Sequence, residues 1–259
     1  MVINRPDNRR MSSSEPPSNP PAPPRPLIRE PRLVPVIGSD AHLPAIAPDR
    51  LTAEAVRTRF AATLGATPVF LDQVHGTRVV RLATSHLGPE AATEQADASI
   101  TTVPGIACTV MVADCLPVLF ATRDGRAVGA AHAGWRGLAG GVLEATVDAI
   151  RAAVPVAAGD IVAWLGASIG PANFEVGADV LAAFHGAESR HFVPAPARDG
   201  VPKWLADLPA LAEGRLRRLG LTEVSGCGEC TVADASRFFS FRRDRLTGRL
   251  AAAAWIDVA

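Results

Sequence analysis

Residues 113–137 read ADCLPVLFATRDGRAVGAAHAGWRG, with a thiol, Cys115, near one end and an imidazole, His132, near the other. The apolar runs IACTVMVA (106–113) and PVLFAT (117–122) precede an Asp124-Gly125 pair and a third run, AVGAAHA (127–133). An Asp-Gly step between such runs is a hairpin signal. A two-residue turn there sets residue 123 opposite 126, so Pro117 faces His132 and Cys115 faces Gly134. Side chains alternate along a strand, which puts Cys115, Pro117 and His132 on one face. Cys115 and His132 are then diagonal neighbours, roughly 7–8 Å apart at the backbone. A one-residue slip would send them to opposite faces.

One thiolate and one imidazole need a third donor to hold a metal, and LDQVHG (71–76) offers His75 at a strand end. Two imidazoles and a thiolate leave the fourth place of a tetrahedral zinc open, the pattern of catalytic rather than structural sites. Such an ion polarises a substrate oxygen or brings the pKa of bound water to about 7. His75, Cys115 and His132 are therefore the expected metal ligands and catalytic residues. Glycines 134, 137, 140 and 141 surround the strand-to-helix turn that follows. Backbone N–H groups there could meet an anion, with Arg136 as a phosphate clamp. Asp114, beside Cys115, is the other candidate for substrate or phosphate binding. Cys227 and Cys230 form a C-x-x-C without a second such pair or a later histidine, so no metal or redox role is assigned to them.

The elements that must position these residues alternate between helix and strand. TAEAVRTRFAATLG (52–65) is predicted helical, as are residues 138–154, where Leu138, Val142, Thr146, Ile150 and Val154 form one apolar stripe. Strands are expected at 68–76, in TRVVRLA, and in VAWLGASIG; helices are expected in VGADVLAAFHG and ADLPALAEGRLRRLG. SRFFSFRRD and RLAAAAWI are expected to close the chain as a hairpin around Leu246-Thr247-Gly248. Hairpins mixed with single helices argue for an α/β (α+β) domain of layered mixed sheets flanked by helices, not a doubly wound parallel sheet.

The 26 basic and 26 acidic residues cancel, giving no electrostatic basis for nucleic-acid binding. The longest apolar run is interrupted by Asp114 and Pro117 and does not span a membrane. The N-terminus lacks the apolar core of a secretory signal, and four cysteines without one do not form a disulfide framework, so the cytoplasm is expected. Ten of the 22 prolines fall in the first 35 residues. Residues 1–30 are accordingly expected to be a disordered extension, with Met11 an alternative start, and 31–259 the catalytic domain.

The blocks LDQVHG, ADAS (96–99), MVADCLPVLF (111–120), AAHAGWRG (130–137), GASIGPANFEVG (166–177) and CTVADASRFFSFRRDRLTGRLA (230–251) together resemble the YfiH-like family, also labelled "laccase domain" or polyphenol oxidase. The resemblance implies a single compact mixed α/β fold. It implies that His75, Cys115 and His132 form the family's metal-binding catalytic set, with zinc and sometimes copper. It further implies phosphorolysis of adenosine, inosine and 5′-methylthioadenosine to free base and sugar 1-phosphate, with adenosine deamination at the same site. The partners are then small: a nucleoside and phosphate, acted on by a monomer. The chain departs from the family before the first helix. LVPVIGSDAHLPAIAPDRLTAE stands where a threonine-arginine-x-glycine-glycine-valine-serine block and a serine-leucine-asparagine block are usual.

Three other readings compete. Copper oxidation of phenols would use the same donors with Met111 as an axial ligand, but six histidines with no H-x-H pair do not supply a multicopper cluster. A thiol hydrolase would use Cys115 as nucleophile and His132 as base. A non-enzymatic scaffold would act as a binding partner or peptidoglycan-editing factor.

Overall fold

The computed structural model describes residues 26–27, 34–36, 53–88 and 93–257. The extension expected over 1–30 and the divergent segment before the first helix lie almost wholly outside them. In chain order the elements are β1 (Pro26–Leu27), β2 (Val34–Val36), α1 (Ala53–Leu64), β3 (Thr67–Val69), β4 (Val79–Leu82), β5 (Ala98–Thr101), β6 (Ile106–Val112), β7 (Leu116–Thr122) and β8 (Val128–Ala133). There follow α2 (Trp135–Gly140), α3 (Val142–Ala153), β9 (Ile161–Leu165), β10 (Glu175–Val176), α4 (Ala178–Ala182), β11 (Phe192–Arg198) and β12 (Val201–Ala206). The chain ends with α5 (Leu208–Arg218), β13 (Glu223–Gly226), α6 (Phe241–Asp244) and β14 (Arg249–Ile256).

A central sheet runs in the order β13-β9-β7-β8-β5-β4 and mixes parallel with antiparallel pairs. A second sheet runs β1-β14-β6-β3, with β2 also on β14. Strand β7 is buried throughout because each of its faces meets a different layer. Leu116, Val118 and Phe120 join Leu143, Val147 and Ile150 of α3 and Leu211 of α5. Leu119 and Ala121 point the other way, toward Cys108 and Val110 of β6 and Ala252 and Ala254 of β14. Beyond that second sheet, Phe60 of α1 packs on Ala251 with Met111. A small third sheet, β10-β12-β11, completes the expected architecture of layered mixed sheets with flanking helices.

The β7–β8 hairpin has the predicted register: Pro117 pairs with His132 and Leu116 with Ala133. Its turn is longer than two residues. The last closed pair is Thr122 with Ala127, whose amide and that of Arg126 donate to Thr122 Oγ1 at 3.1 Å. Four loop residues replace two without changing the parity, so the faces are preserved.

Other expectations are corrected. The 138–154 helix is two helices, because Gly141 adopts φ +100°, caps α2 and starts α3. The apolar stripe survives the break, with Leu138, Val142, Thr146, Ile150 and Val154 all buried. The closing hairpin does not form. Ser240 accepts from Arg243 N and starts α6, and β14 has its partners in β6, β1 and β2. Prolines 194, 196 and 202 disguise the β11–β12 hairpin in the sequence. Asp199 (φ +51°) and Gly200 (φ +75°) make its turn.

Candidate metal centre

Each of the three expected ligands is delivered by a different local device. Cys115 begins at the bend between β6 and β7, where Asp114 takes φ +94°. Asp114 is buried, and both its oxygens are engaged: Thr231 Oγ1 donates to one and Arg242 N to the other, each at 2.6 Å. Its carbonyl accepts from Ile169 N at 2.8 Å. This aspartate, a phosphate-binding candidate from the sequence, ties the Cys115 bend to the 166–177 and 230–251 segments.

His132 projects from the end of β8 and is buried. His75 lies in the exposed loop after β3 with φ +61°. Gln73 anchors that loop to β6 through paired bonds of its amide with Met111 N and O, at 2.7 and 2.8 Å. Met111 packs against the α1 side of β6, so it is no axial ligand.

The side chains of His75, Cys115 and His132 converge, with their ligand atoms within 4.8 Å of one another. Cys115 Sγ is 3.8 Å from His75 Nε2, and the two imidazole rings stand edge to face with centroids 4.8 Å apart. Among the described residues this is the one His/Cys/Asp/Glu cluster set to hold an ion. Two borderline nitrogens and one sulfur suit zinc or copper better than magnesium or calcium.

The glycines of AAHAGWRG serve this convergence by absence of bulk. A Cβ at Gly134 would lie 2.9 Å from His75 Cδ2 and 3.0 Å from Cys115 Sγ. One at Gly137 would lie 2.9 Å from Gly76 O. Helix α2 thus presses directly on the His75 loop. Arg136 stands exposed on its first turn, with its guanidinium 4.4 Å above the Trp135 ring.

Sequence reasoning missed Asp97 as a site residue. It is fully buried and accepts from Val74 N (3.1 Å), His75 N (2.9 Å), Gly76 N (2.6 Å) and His132 Nδ1 (2.8 Å). Burial alone would raise its pKa; the His132 bond and the loop amides outweigh that and hold it below the ordinary value. The signal was a carboxylate placed directly before the short strand ASIT, where only a dense set of donors makes burial tolerable.

The same competition acts on the ligands. Desolvation opposes the Cys115 thiolate, but hydrogen bonds from His132 and then His75 prevail and lower its pKa to about 6. Desolvation likewise opposes the His132 imidazolium, and Asp97 and Cys115 raise its pKa to about 9. The two shifts have one cause, since the thiolate and the imidazolium each favour the charged form of the other. Cys108, by contrast, is buried among apolar side chains and pushed up to about 12. Cys230 lies apart from the cluster and accepts from Gly170 N at 3.2 Å and Asn173 Nδ2 at 3.4 Å; Cys227 is exposed.

Fold and site together define a layered α/β protein that brings two histidines and one cysteine together at one point. The chain belongs to the family described as multi-copper polyphenol oxidoreductase laccase, which it matches over residues 47–257. It is 46% identical over 212 residues to a purine nucleoside phosphorylase of Pseudomonas aeruginosa, covering 81% of this chain and 82% of that one. It is 44% identical over 209 residues to the purine nucleoside phosphorylase YfiH of Escherichia coli, covering 81% and 82%. The solved structure of a Neisseria meningitidis protein superposes with a TM-score of 0.74 at 40% identity, over 88% of this chain and 92% of that one. The resemblance drawn from the sequence blocks is thereby borne out.

Proposed function

We propose that the protein is a zinc-dependent purine nucleoside phosphorylase, converting adenosine, inosine or 5′-methylthioadenosine and phosphate to free base and sugar 1-phosphate. The observation that carries this reading is the convergence of three ligand side chains with His75 at the surface, a donor set that leaves one coordination place for a reactant. The names of the relatives at 44–46% identity support the reaction class. A zinc ion held by His75, Cys115 and His132 supplies fixed positive charge for polarising an oxygen of substrate, phosphate or water.

The protein's own groups do the rest. Asp97 keeps the His132 proton on Nδ1 and leaves Nε2 for the centre. Arg136, exposed on the first turn of α2 next to Gly134, meets the phosphate anion. Asp114 fixes the Cys115 bend without entering the chemistry. All three ligands come from one chain, which supports a monomeric catalytic unit. Adenosine deamination is a secondary reaction of the same centre, in which water adds at purine C6 rather than phosphate at the sugar C1, and ammonia leaves to give inosine.

Among the described residues, His86, His185 and His191 lie outside the cluster, which supports a single centre over a multicopper oxidase. Zinc-replete protein given adenosine and phosphate should release adenine and ribose 1-phosphate, and Cys115→Ala should release neither. No product from the zinc-replete wild type would sink the proposal. The closeness of the Cys115 thiol to two imidazoles favours one second reading, a thiol hydrolase with Cys115 as nucleophile and His132 as base. It requires turnover that survives a chelator and stops on alkylation of Cys115.

A further inference from the structure

We infer that Asp97 is the positioning residue of this centre: one carboxylate both orients His132 and holds the loop that carries His75, so that two of the three ligands are set by a single side chain. The inference rests on the metal reading above and concerns how the site is preformed. Oδ1 of Asp97 is shared between His132 Nδ1 and the backbone amide of His75 itself. Oδ2 takes the amides on either side, Val74 and Gly76. The link runs through the main chain as well, since His132 N donates to Asp97 O at 2.7 Å.

The two histidines need this help for opposite reasons. His132 is enclosed, and its ring can present Nε2 to the centre only while Nδ1 has an acceptor. His75 is exposed, and its backbone stands at φ +61°, a left-handed region uncommon for residues other than glycine. Three successive amides pointing at one carboxylate hold it there. A neutral isostere, as in Asp97→Asn, cannot serve both. If its amide nitrogen takes the place of Oδ2, it opposes the Val74 and Gly76 N–H groups. If it takes the place of Oδ1, it opposes the His75 N–H and donates to His132 Nδ1, forcing the ring proton onto Nε2, the atom the metal needs. The first orientation damages the His75 loop, and the second damages both ligands.

The test compares zinc affinity of wild type and Asp97→Asn by chelator competition, with two-bond ¹H–¹⁵N spectra of the histidine rings in the zinc-loaded wild type. We expect the variant to bind zinc about 10- to 100-fold more weakly, and the wild-type His132 to carry its proton on Nδ1. Affinity within twofold of wild type, or a wild-type His132 protonated on Nε2, would overturn the assignment while leaving the metal reading intact. If the variant does not fold, the wild-type spectrum decides alone. A wild type that binds no zinc would remove the metal reading, and this inference with it.

Discussion

Gly134 bears on both sides of the site at once. Its φ of −62° and ψ of 159° suit any residue, so a substitution there carries no backbone cost. The cost is contact: a methyl group would press on His75 Cδ2 and Cys115 Sγ. Overpacking of this kind costs about 1–3 kcal/mol, and here it falls on the ligands. On the metal reading proposed above, Gly134→Ala should weaken metal binding by about tenfold or more while shifting the urea midpoint little, as titration and denaturation would show together. Sequence pattern exposed Cys115 and His132 because hairpin register is a matter of parity. It could not expose Asp97, whose role depends on three loop amides and a ring nitrogen brought together from 21 to 35 residues away.

Between α2 and α3 a single residue changes the direction of the chain. Gly141 at φ +100° bonds its amide to Gly137 O and Leu138 O, and a Cβ there would meet nothing closer than Glu144 Oε2 at 3.6 Å. The penalty for Gly141→Ala is thus conformational, about 1–2 kcal/mol. Thermal unfolding should move down by several degrees with zinc stoichiometry unchanged. An unbroken 138–154 helix is what periodicity predicts, since the apolar stripe continues across the kink. Elements defined by local apolar pattern were legible: α1, β6, β7, β8 and α5. Those defined by distant pairing were not. The prolines of β11 and β12 mask a hairpin, and the aromatic run Phe238-Phe239 mimics a strand although Ser240 caps a helix.

At the scale of the whole molecule, α5 is fastened over the central sheet by a buried ionic group. Arg215 bonds Glu188, the carbonyls of Leu138 and Ala139, and Glu144, and Arg218 joins Glu188 from the surface side. Burial opposes the Glu188 charge, but Arg215 and then Arg218 outweigh it and lower its pKa. A depressed carboxylate stabilises the fold above its ordinary pKa and loses that contribution as pH falls through the folded value. Glu188→Gln should therefore cost about 1–3 kcal/mol at pH 7, Arg215 keeping Glu144 and two carbonyls, with the gap to wild type closing on acidification in urea titrations between pH 7 and 3. No helix of the described residues is long and apolar enough to cross a membrane. The doubly covered β7 strand also governs how the centre comes apart. Cys115 and His132 are rooted at the ends of strands that can open only when the layers separate. His75 sits instead on an exposed loop, held from below by Asp97 and Gln73. An ion held by these three side chains would therefore have two donors fixed in the layered body of the fold and one, His75, at the surface, where solvent reaches it.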